Sequence, residues 1–425
     1  MARRPILFDA TRLLTRIAHK APTGIDRVDI AYAEHVRPGA GQNLALAGTP
    51  FGVRIMPAGE AATTVGMLAE RWRGGGASAA DGAALARVHA WLEAEPAEPP
   101  PLAPTETETS RSLPPAAGRM LRSLRGAAWR RATEAPRNAI YLHTSHIRLD
   151  RPDYLSWLGG RPDIRAVFFV HDLIPIDFPE YGVPGEAERH RRRMSAIAGR
   201  AAAVIVNSED VADRFRRHCA EEGLPIVPVR AAPLGVEAAF APGMRPRAGR
   251  RRPYFVVCGT IEARKNHLLL LQIWRDLAAS LGPETPALVL VGRRGWEAEA
   301  ARDLLDRCAA IRPHVIEAPG LPTSGLAELM AGARALLMPS FAEGYGIPVV
   351  EALSLGTPVI ASDIPAHREI ASGAATLLDP LDGTGWRDLI LATAAARLEE
   401  PRRTSFAAPS WDHHFAIADD VLDRL

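Results

Sequence analysis

Two glutamates with seven residues between them, Glu343 and Glu351, mark the part of the sequence that could do chemistry. Gly344 and Gly346 lie between them, and glycine lets a backbone approach a phosphate closely. Pro348 suits the first turn of a helix, whose start would direct free N–H groups and a positive dipole end at a phosphate. The two carboxylates would then accept hydrogen bonds from the hydroxyls of a sugar and of a ribose.

A second group of residues lies about eighty positions upstream. The strand-like run Tyr254–Cys258 breaks into Gly259 and Thr260, and Arg264 and Lys265 follow shortly after. Open α/β sheets bind their ligands where such strands end, and the two cations would suit an anionic ligand there. Together the two groups predict a site for a nucleoside diphosphate attached to a sugar.

Composition limits the class of protein. At 425 residues, with 47% hydrophobic and 24% charged residues, the chain suits two globular domains. No run of eighteen apolar residues is present, and the N-terminus is typical of a first strand rather than a signal peptide. Three widely spaced cysteines predict neither a disulfide framework nor a zinc site, which favours a cytoplasmic location. The net charge of +2 argues against a nucleic-acid partner.

Strand-like runs alternate with helical patterns in both halves of the chain. This alternation predicts an α/β protein with two doubly wound, Rossmann-like domains that face each other across a cleft. The first domain takes residues 1–240, the second takes residues 250–405, and a C-terminal helix over 406–425 is expected to pack as a lid or strap. Strands are predicted at Ile6–Asp9, Ala139–His143, Ala166–Val170, Ala203–Val206, Tyr254–Cys258, Ala287–Val291, Val315–Ile316, Ala335–Met338 and Pro358–Ala361.

One segment of the first domain departs from this pattern. Residues 61–135 are rich in Ala, Pro, Arg and Glu, and Glu95–Pro115 contains almost no large apolar residue. A disordered or variable insertion is therefore predicted there.

Two arginine clusters stand out, at Arg119–Arg131 and at Arg189–Arg193. Each could be a solvated helix face. Alternatively, the first cluster could form a surface helix on an anionic membrane, with Leu121, Leu124 and Trp129 dipping into it. The protein would then be peripheral at the inner face of the membrane.

These segments resemble the retaining nucleotide-sugar glycosyltransferases of family four, whose fold is the two-domain GT-B arrangement. The resemblance is dense from Tyr254 to Pro380 and weaker at Val170–Pro175, Val206–Ser208 and Thr23-Gly24. It implies transfer of a sugar from a nucleotide-diphosphate donor to a hydroxyl of a glycan or lipid-linked acceptor, with retention, in surface polysaccharide biosynthesis. GDP-mannose is the donor that the resemblance suggests, and no cofactor is implied.

The resemblance also implies four catalytic residues. Arg264 and Lys265 resemble the pair that neutralises the donor diphosphate in place of a metal ion. Glu343 resembles the glutamate that positions hydroxyls of the transferred sugar, and His171 falls where the family histidine touches that sugar. The other histidines, including His143, show no metal-ligand spacing, so no bound metal is predicted.

Further residues resemble the family's donor-binding positions. Glu351 resembles the glutamate that holds the ribose hydroxyls, Gly24 the glycine of the loop that closes over the phosphates, and Leu321 the residue that binds the base through its backbone. The loop reads Thr-Gly-Ile-Asp-Arg rather than a glycine pair, so Arg27 could replace backbone contacts there. The remaining donor-binding residues are predicted to be Gly259, Thr260, Gly344, Tyr345 and Gly346.

Other functions fit parts of the pattern. A sugar-nucleotide epimerase or a phosphorylase would keep the fold, and a non-catalytic partner would only bind the nucleotide sugar. A nicotinamide-dependent dehydrogenase would need a G-x-G-x-x-G segment that opens a helix, and the sequence contains none. Glu343 and Glu351 could also be ordinary surface and helix-terminal acids. Their spacing beside Arg264-Lys265 favours sugar transfer.

Overall fold

The computed structural model describes residues 4–19, 22–73, 79–100, 129–243, 252–396 and 405–425. Within these ranges the chain forms two sheets, each with helices packed on it, which confirms the predicted α/β class. No helix within these ranges is both long and apolar enough to cross a membrane.

The first sheet has eight strands in its described part. They are β1 (Ile6–Asp9), β2 (Leu44–Thr49), β3 (Gly52–Ile55), β4 (Arg130–Arg131), β5 (Ile140–His143), β6 (Arg165–Val170), β7 (Ala201–Val206) and β8 (Val229–Ala231). Their order is β4-β3-β2-β1-β5-β6-β7-β8, parallel throughout except for the antiparallel pairs β2–β3 and β3–β4.

The second sheet has six described strands, all parallel. They are β9 (Tyr254–Cys258), β10 (Ala287–Val291), β11 (Val315–Glu317), β12 (Leu336–Met338), β13 (Val359–Ser362) and β14 (Thr376–Leu378). Their order is β11-β10-β9-β12-β13-β14. Strands such as β10 are buried along their whole length, as expected for parallel strands that helices cover on both faces.

Fifteen helices connect or flank these strands in the described ranges. They are α1 (Thr11–Thr15), α2 (Gly24–Val36), α3 (Ala58–Arg73), α4 (Ala79–Glu93), α5 (Ser156–Gly159), α6 (Ile174–Asp177), α7 (Glu186–Ala198), α8 (Glu209–Glu221), α9 (His267–Leu281), α10 (Glu299–Arg307), α11 (Thr323–Gly332), α12 (Ile347–Ser354), α13 (Pro365–Ala371), α14 (Gly383–Ala395) and α15 (Trp411–Asp423).

All nine predicted strands are present, with ends that differ by at most two residues. The prediction missed five strands, and β2 and β3 are the clearest cases. The sequence of β2 is Leu-Ala-Leu-Ala-Gly-Thr, and alanine and glycine have low strand propensity. Its place in the sheet comes from pairing with β1, a contact that local sequence does not show.

The predicted disorder of residues 61–135 is wrong for the helices α3 and α4. Leu68 and Trp72 are buried on one face of α3, and Val88 and Leu92 are buried on one face of α4. Both pairs have the i, i+4 spacing of a helix face, which the Ala-rich composition obscured. Residues 101–128 lie outside the described ranges.

The two arginine clusters have different outcomes. Most of the first one, residues 119–128, lies outside the described ranges. Trp129 packs against the core rather than facing outward, and Arg130–Arg131 pair with β3 as β4. In α7, the arginines of the second cluster form ion pairs with Glu186 and Glu188 of the same helix. This pairing fits a solvated helix face.

Three helices reach across from one domain to the other. The helix α15 follows the second domain in sequence but packs on the first, where His414 Nε2 lies 2.9 Å from the Tyr32 hydroxyl. The helices α3 and α4 belong to the first domain but contact the second. The Thr323 hydroxyl donates to the Trp72 carbonyl over 3.1 Å, and Arg87 donates to the Glu317 carbonyl over 2.6 Å.

Replacement of Leu68 by alanine tests the packing of α3. Leu68 is fully buried, so Leu68→Ala should lower the free energy of unfolding by about 2–5 kcal/mol, through lost burial and a remaining cavity. Denaturant unfolding followed by circular dichroism measures this. The exposed Glu70 of the same helix supplies the control, because Glu70→Ala should change stability by less than about 0.5 kcal/mol. Equal stability of both variants would show that α3 is not part of the core.

Candidate functional site

The carboxyl ends of both sheets face one cavity of about 1550 Å³ between the domains. All thirteen predicted site residues line it, although they come from separate parts of the sequence. They are Gly24, Arg27, His171, Gly259, Thr260, Arg264, Lys265, Leu321, Glu343, Gly344, Tyr345, Gly346 and Glu351. The motifs therefore meet in space at the place where α/β sheets bind ligands.

Glu343 lies between the two predicted diphosphate-binding cations. Lys265 Nζ donates to one carboxylate oxygen over 2.5 Å, and Arg264 Nη1 donates to the other over 2.8 Å. Burial alone would raise the pKa of Glu343, but Lys265 and Arg264 outweigh it and hold that pKa well below its usual range. Glu343 is therefore ionised at neutral pH, and its position is fixed by two charge-assisted hydrogen bonds.

A short turn after β9 positions these cations. Residues Ala263–Lys265 form one turn of 3-10 helix, and Asn266 follows in the left-handed conformation. The Asn266 amide donates to the carbonyls of Pro339 and Pro380, which ties the turn to the ends of β12 and β14. Arg264 also donates to Glu262 over 2.6 Å. Two cations and two carboxylates thus balance here, and an incoming diphosphate would have to share or replace these partners.

Glu351 forms an ion pair with a residue of the other domain. Arg27, in the first turn of α2, contacts one Glu351 oxygen and also lies 3.5 Å from Glu237. The second Glu351 oxygen is buried without a hydrogen-bond partner among the described residues. Burial therefore raises the pKa of Glu351 to about 7, although the charge of Arg27 opposes the shift. Arg27 lines the cavity, as predicted, and its partner there is Glu351, the glutamate predicted to hold the ribose.

Two helix N-termini from different domains meet in the cavity. The helix α2 starts at Gly24 and α12 starts at Ile347, and a Cβ atom on Gly24 would lie 3.3 Å from the Ile347 side chain. Thr23 caps α2 through a capping box with Asp26. Gly346 precedes α12 with φ of +103°, a conformation that favours glycine. Both helices therefore bring a positive dipole end to the cavity, which suits an anion.

Gly344 allows the two domains to approach each other. A Cβ atom there would lie 2.6 Å from the His171 carbonyl oxygen, and Ser208 donates to the Gly344 carbonyl over 3.3 Å. The Tyr345 hydroxyl donates to the Leu234 carbonyl over 3.2 Å, also across the domain boundary. Close packing of the domains therefore favours glycine at position 344, and the phosphate contact of Gly344 stays a prediction.

His171 is held in one orientation at the end of β6. Its Nε2 lies 2.7 Å from the Thr144 carbonyl oxygen, and its own carbonyl accepts from Asn207 over 2.9 Å. Because a carbonyl only accepts, Nε2 carries the proton and Nδ1 is left as the acceptor. Burial lowers the pKa of His171 to about 4, so the ring is neutral at physiological pH.

Sequence reasoning missed several residues of the cavity and its surroundings. His367 is buried below Gly346, and its Nε2 has no hydrogen-bond partner within the described ranges. Nothing in its sequence context signals this position. Seven basic residues that line the cavity were not predicted as site residues: Arg12, Arg16, His19, Arg87, Arg293, Arg294 and Arg312. The spacing of the first three after the buried strand β1 was a usable signal. Among the described residues, no cluster of metal-ligating side chains occurs.

Comparison with known proteins bears on these observations. Residues 245–386 match the family model described as glycosyl transferases group 1. The serotype-specific mannosyltransferase WbdA of Escherichia coli is 30% identical over 220 residues, which are 48% of this chain and 27% of that protein. The chain thus aligns with about a quarter of that relative's length. The O-antigen chain mannosyltransferase B of E. coli is 28% identical over 284 residues, 58% of this chain and 71% of that protein.

A solved structure shows the same fold. Sucrose-phosphate synthase from Thermosynechococcus elongatus superposes with a TM-score of 0.55 at 15% sequence identity, over 99% of this chain and 96% of that protein. This match confirms the predicted arrangement of two facing Rossmann-like domains. Residues 245–386 thus match a glycosyl transferases group 1 domain, within a chain that has the GT-B fold.

Proposed function

We propose that the protein transfers a hexose from a nucleoside diphosphate to an acceptor hydroxyl. The observation that carries this proposal is Glu343, fixed between Arg264 and Lys265 in a cavity that two helix N-termini also line. Cations and helix dipoles suit the diphosphate, and an ionised carboxylate suits the hydroxyls of the sugar attached to it. Both E. coli relatives are named mannosyltransferases, which supports mannose as the sugar and GDP-mannose as the donor.

Charge development on the leaving group explains the use of two cations. As the bond from the sugar to the diphosphate breaks, negative charge grows on a phosphate oxygen. Arg264 and Lys265 would shift part of their hydrogen bonding from Glu343 to that oxygen, with the α12 N-terminus beside them. Preorganised groups of this kind stabilise a transition state without further rearrangement of solvent. The cations thereby take the part that a metal ion has in other transferases.

Glu351 would take the ribose and His171 the transferred sugar. A ribose hydroxyl would donate to Glu351, either at its unpartnered oxygen or in place of Arg27. The free Nδ1 of His171 would accept from a sugar hydroxyl. Leu321 and Thr260, on the second-domain wall of the cavity, would contact the base and a phosphate. Retention of the anomeric configuration is proposed from the resemblance to family four.

The acceptor is proposed to be a glycan or a lipid-linked glycan of a surface polysaccharide. The name of the second relative, an O-antigen chain mannosyltransferase, supports this class. A peripheral contact with an anionic membrane stays a prediction, because residues 119–128 lie outside the described ranges.

A donor panel tests the proposed function. Purified protein would be incubated with GDP-mannose, UDP-glucose, UDP-N-acetylglucosamine and dTDP-linked sugars, each with glycan acceptors, and nucleotide release and product mass would be measured. We expect one donor to be consumed with a matching mass increase of the acceptor. Conversion of a nucleotide sugar into its epimer without transfer would point instead to an epimerase. Binding without any turnover would point to a non-catalytic partner.

Loss of Lys265 should affect the rate rather than donor binding. Lys265→Ala removes one of the cations that face the leaving group, and loss of such a group costs about 3–4 kcal/mol of transition-state stabilisation. We therefore expect kcat to fall by a factor of ~10²–10³, with a smaller change in donor KM. The control is Arg275→Ala, which removes an exposed cation from α9 and should leave kcat unchanged. Wild-type kcat in Lys265→Ala would exclude the diphosphate assignment.

The raised pKa of Glu351 predicts pH-dependent nucleotide affinity. A ribose hydroxyl donates better to a carboxylate than to a carboxylic acid, so binding should strengthen as Glu351 ionises around pH 7. This group alone should improve affinity for a nucleoside diphosphate about tenfold between pH 6 and pH 8, by linkage. Calorimetric titration measures the dissociation constant at each pH.

Glu351→Gln supplies the control for this pH dependence. Glutamine cannot ionise, so only the titration of the nucleotide's own phosphate should remain in that variant. Identical pH profiles for the variant and the wild type would show that Glu351 does not hold the ribose.

A further inference from the structure

A second group of cations lies in the cleft, apart from Arg264 and Lys265. Arg12, Arg16 and His19 extend from the first domain after β1, and Arg293 extends from the second domain after β10. We call these four residues the cross-cleft cluster. All four residues line the cavity between the two domains. The proposed donor chemistry uses none of the four.

The cross-cleft cluster carries more positive than negative charge. Arg12 and Arg16 both donate to the same oxygen of Asp26, over 2.7 and 3.2 Å, so one carboxylate serves two guanidinium groups. Arg293 forms no ion pair within the described part of the chain. Asp29 lies 4.0 Å from Arg12, but burial raises its pKa to about 7, which limits the negative charge it supplies. Two positive charges are therefore left without a matching carboxylate.

Two side chains of α3 hold the backbone of the segment that carries Arg16 and His19. Arg71 donates to the Ile17 carbonyl over 2.6 Å, and the Trp72 indole donates to the His19 carbonyl over 3.1 Å. Arg16 Nη1 also lies 3.2 Å from His19 Nε2, so the two side chains are in contact. A surface whose charged groups are already oriented loses less entropy when it binds an anion.

The cross-cleft cluster is separate from the proposed diphosphate site. Arg12 and Arg16 donate to Asp26, whereas Arg264 and Lys265 donate to Glu343, so the two groups of cations have different carboxylate partners. Ligand pockets usually have volumes of about 300–1000 Å³. The volume of this cavity, about 1550 Å³, thus leaves room for a second ligand beside the donor.

We propose that the cross-cleft cluster is a subsite for a phosphoryl group carried by the acceptor. Three of its four residues belong to the first domain, whereas the proposed diphosphate contacts Arg264 and Lys265 belong to the second. Guanidinium groups bind phosphate oxygens through paired, charge-assisted hydrogen bonds. Without an anion, the charges of Arg16 and Arg293 repel across the cleft, and a phosphoryl group between them would draw both domains together. This inference rests on the proposed sugar transfer and names its acceptor class.

Calorimetry with inorganic pyrophosphate tests the subsite. The full-length protein is first saturated with GDP or UDP, whichever binds more tightly, so that the donor's diphosphate site is filled. We expect pyrophosphate still to bind. Arg16→Gln and Arg293→Gln should each weaken that binding by about tenfold or more, since each removes a charged hydrogen-bond donor. The nucleotide's own dissociation constant should stay within about twofold of wild type.

Two further variants separate specific from general effects. Arg293→Lys keeps the charge and should retain most of the pyrophosphate affinity. Arg217→Gln removes an exposed arginine of α8 that does not line the cavity, and this variant controls for net charge. Failure of pyrophosphate to bind the nucleotide-saturated protein would overturn the subsite and leave the proposed sugar transfer standing. Weaker nucleotide binding in both glutamine variants would assign the cluster to the donor and also overturn it. Failure of both nucleotides to bind would refute the proposed transfer together with this inference.

Discussion

Burial of two carboxylates is the constraint on which the cleft depends. Glu343 and Glu351 are almost entirely removed from water, and an unpaired charge in that position would cost several kcal/mol. Each is therefore matched by cations: Lys265 and Arg264 for Glu343, and Arg27 for Glu351. The ion pairs of Glu343 lie within the second domain. The ion pair of Glu351 requires the first domain to be in place, because Arg27 belongs to it. The charge balance of the proposed donor site thus ties the two halves of the chain together.

Further hydrogen bonds join the two domains beside these ion pairs. Gly344 and Tyr345 accept or donate hydrogen bonds across the boundary, and Glu369 of the second domain accepts from the first backbone N–H groups of α8. The loop that carries Glu343 therefore also forms hydrogen bonds with the first domain. A ligand that displaces Arg27 from Glu351 would change both charge balance and domain contact at once. Substrate binding and domain position are in this way parts of one equilibrium.

Local patterns made much of the fold and site predictable, and long-range contacts account for the failures. Strands such as β9 are continuous apolar runs, and the motifs that follow them converge because parallel strands end at one edge of a sheet. The partner of Arg27 could not be predicted, because it depends on how two domains face each other. The helices α3 and α4 were missed because their alanine-rich composition obscured the i, i+4 spacing of their large apolar residues. The strand β2 was missed because pairing with β1, rather than propensity, defines it.

The contact of α3 and α4 with the second domain has a consequence for recombination between related chains. The helix α11 meets Trp72 at Thr323, and Leu85 lies 3.5 Å from where a Cβ atom on Gly325 would be. A hybrid joined at the linker between the two sheets would combine α11 from one parent with α3 and α4 from another. Mismatched side chains would then leave buried polar groups unsatisfied and apolar surface exposed. A stable hybrid therefore requires that α3, α4 and α11 all come from the same parent chain.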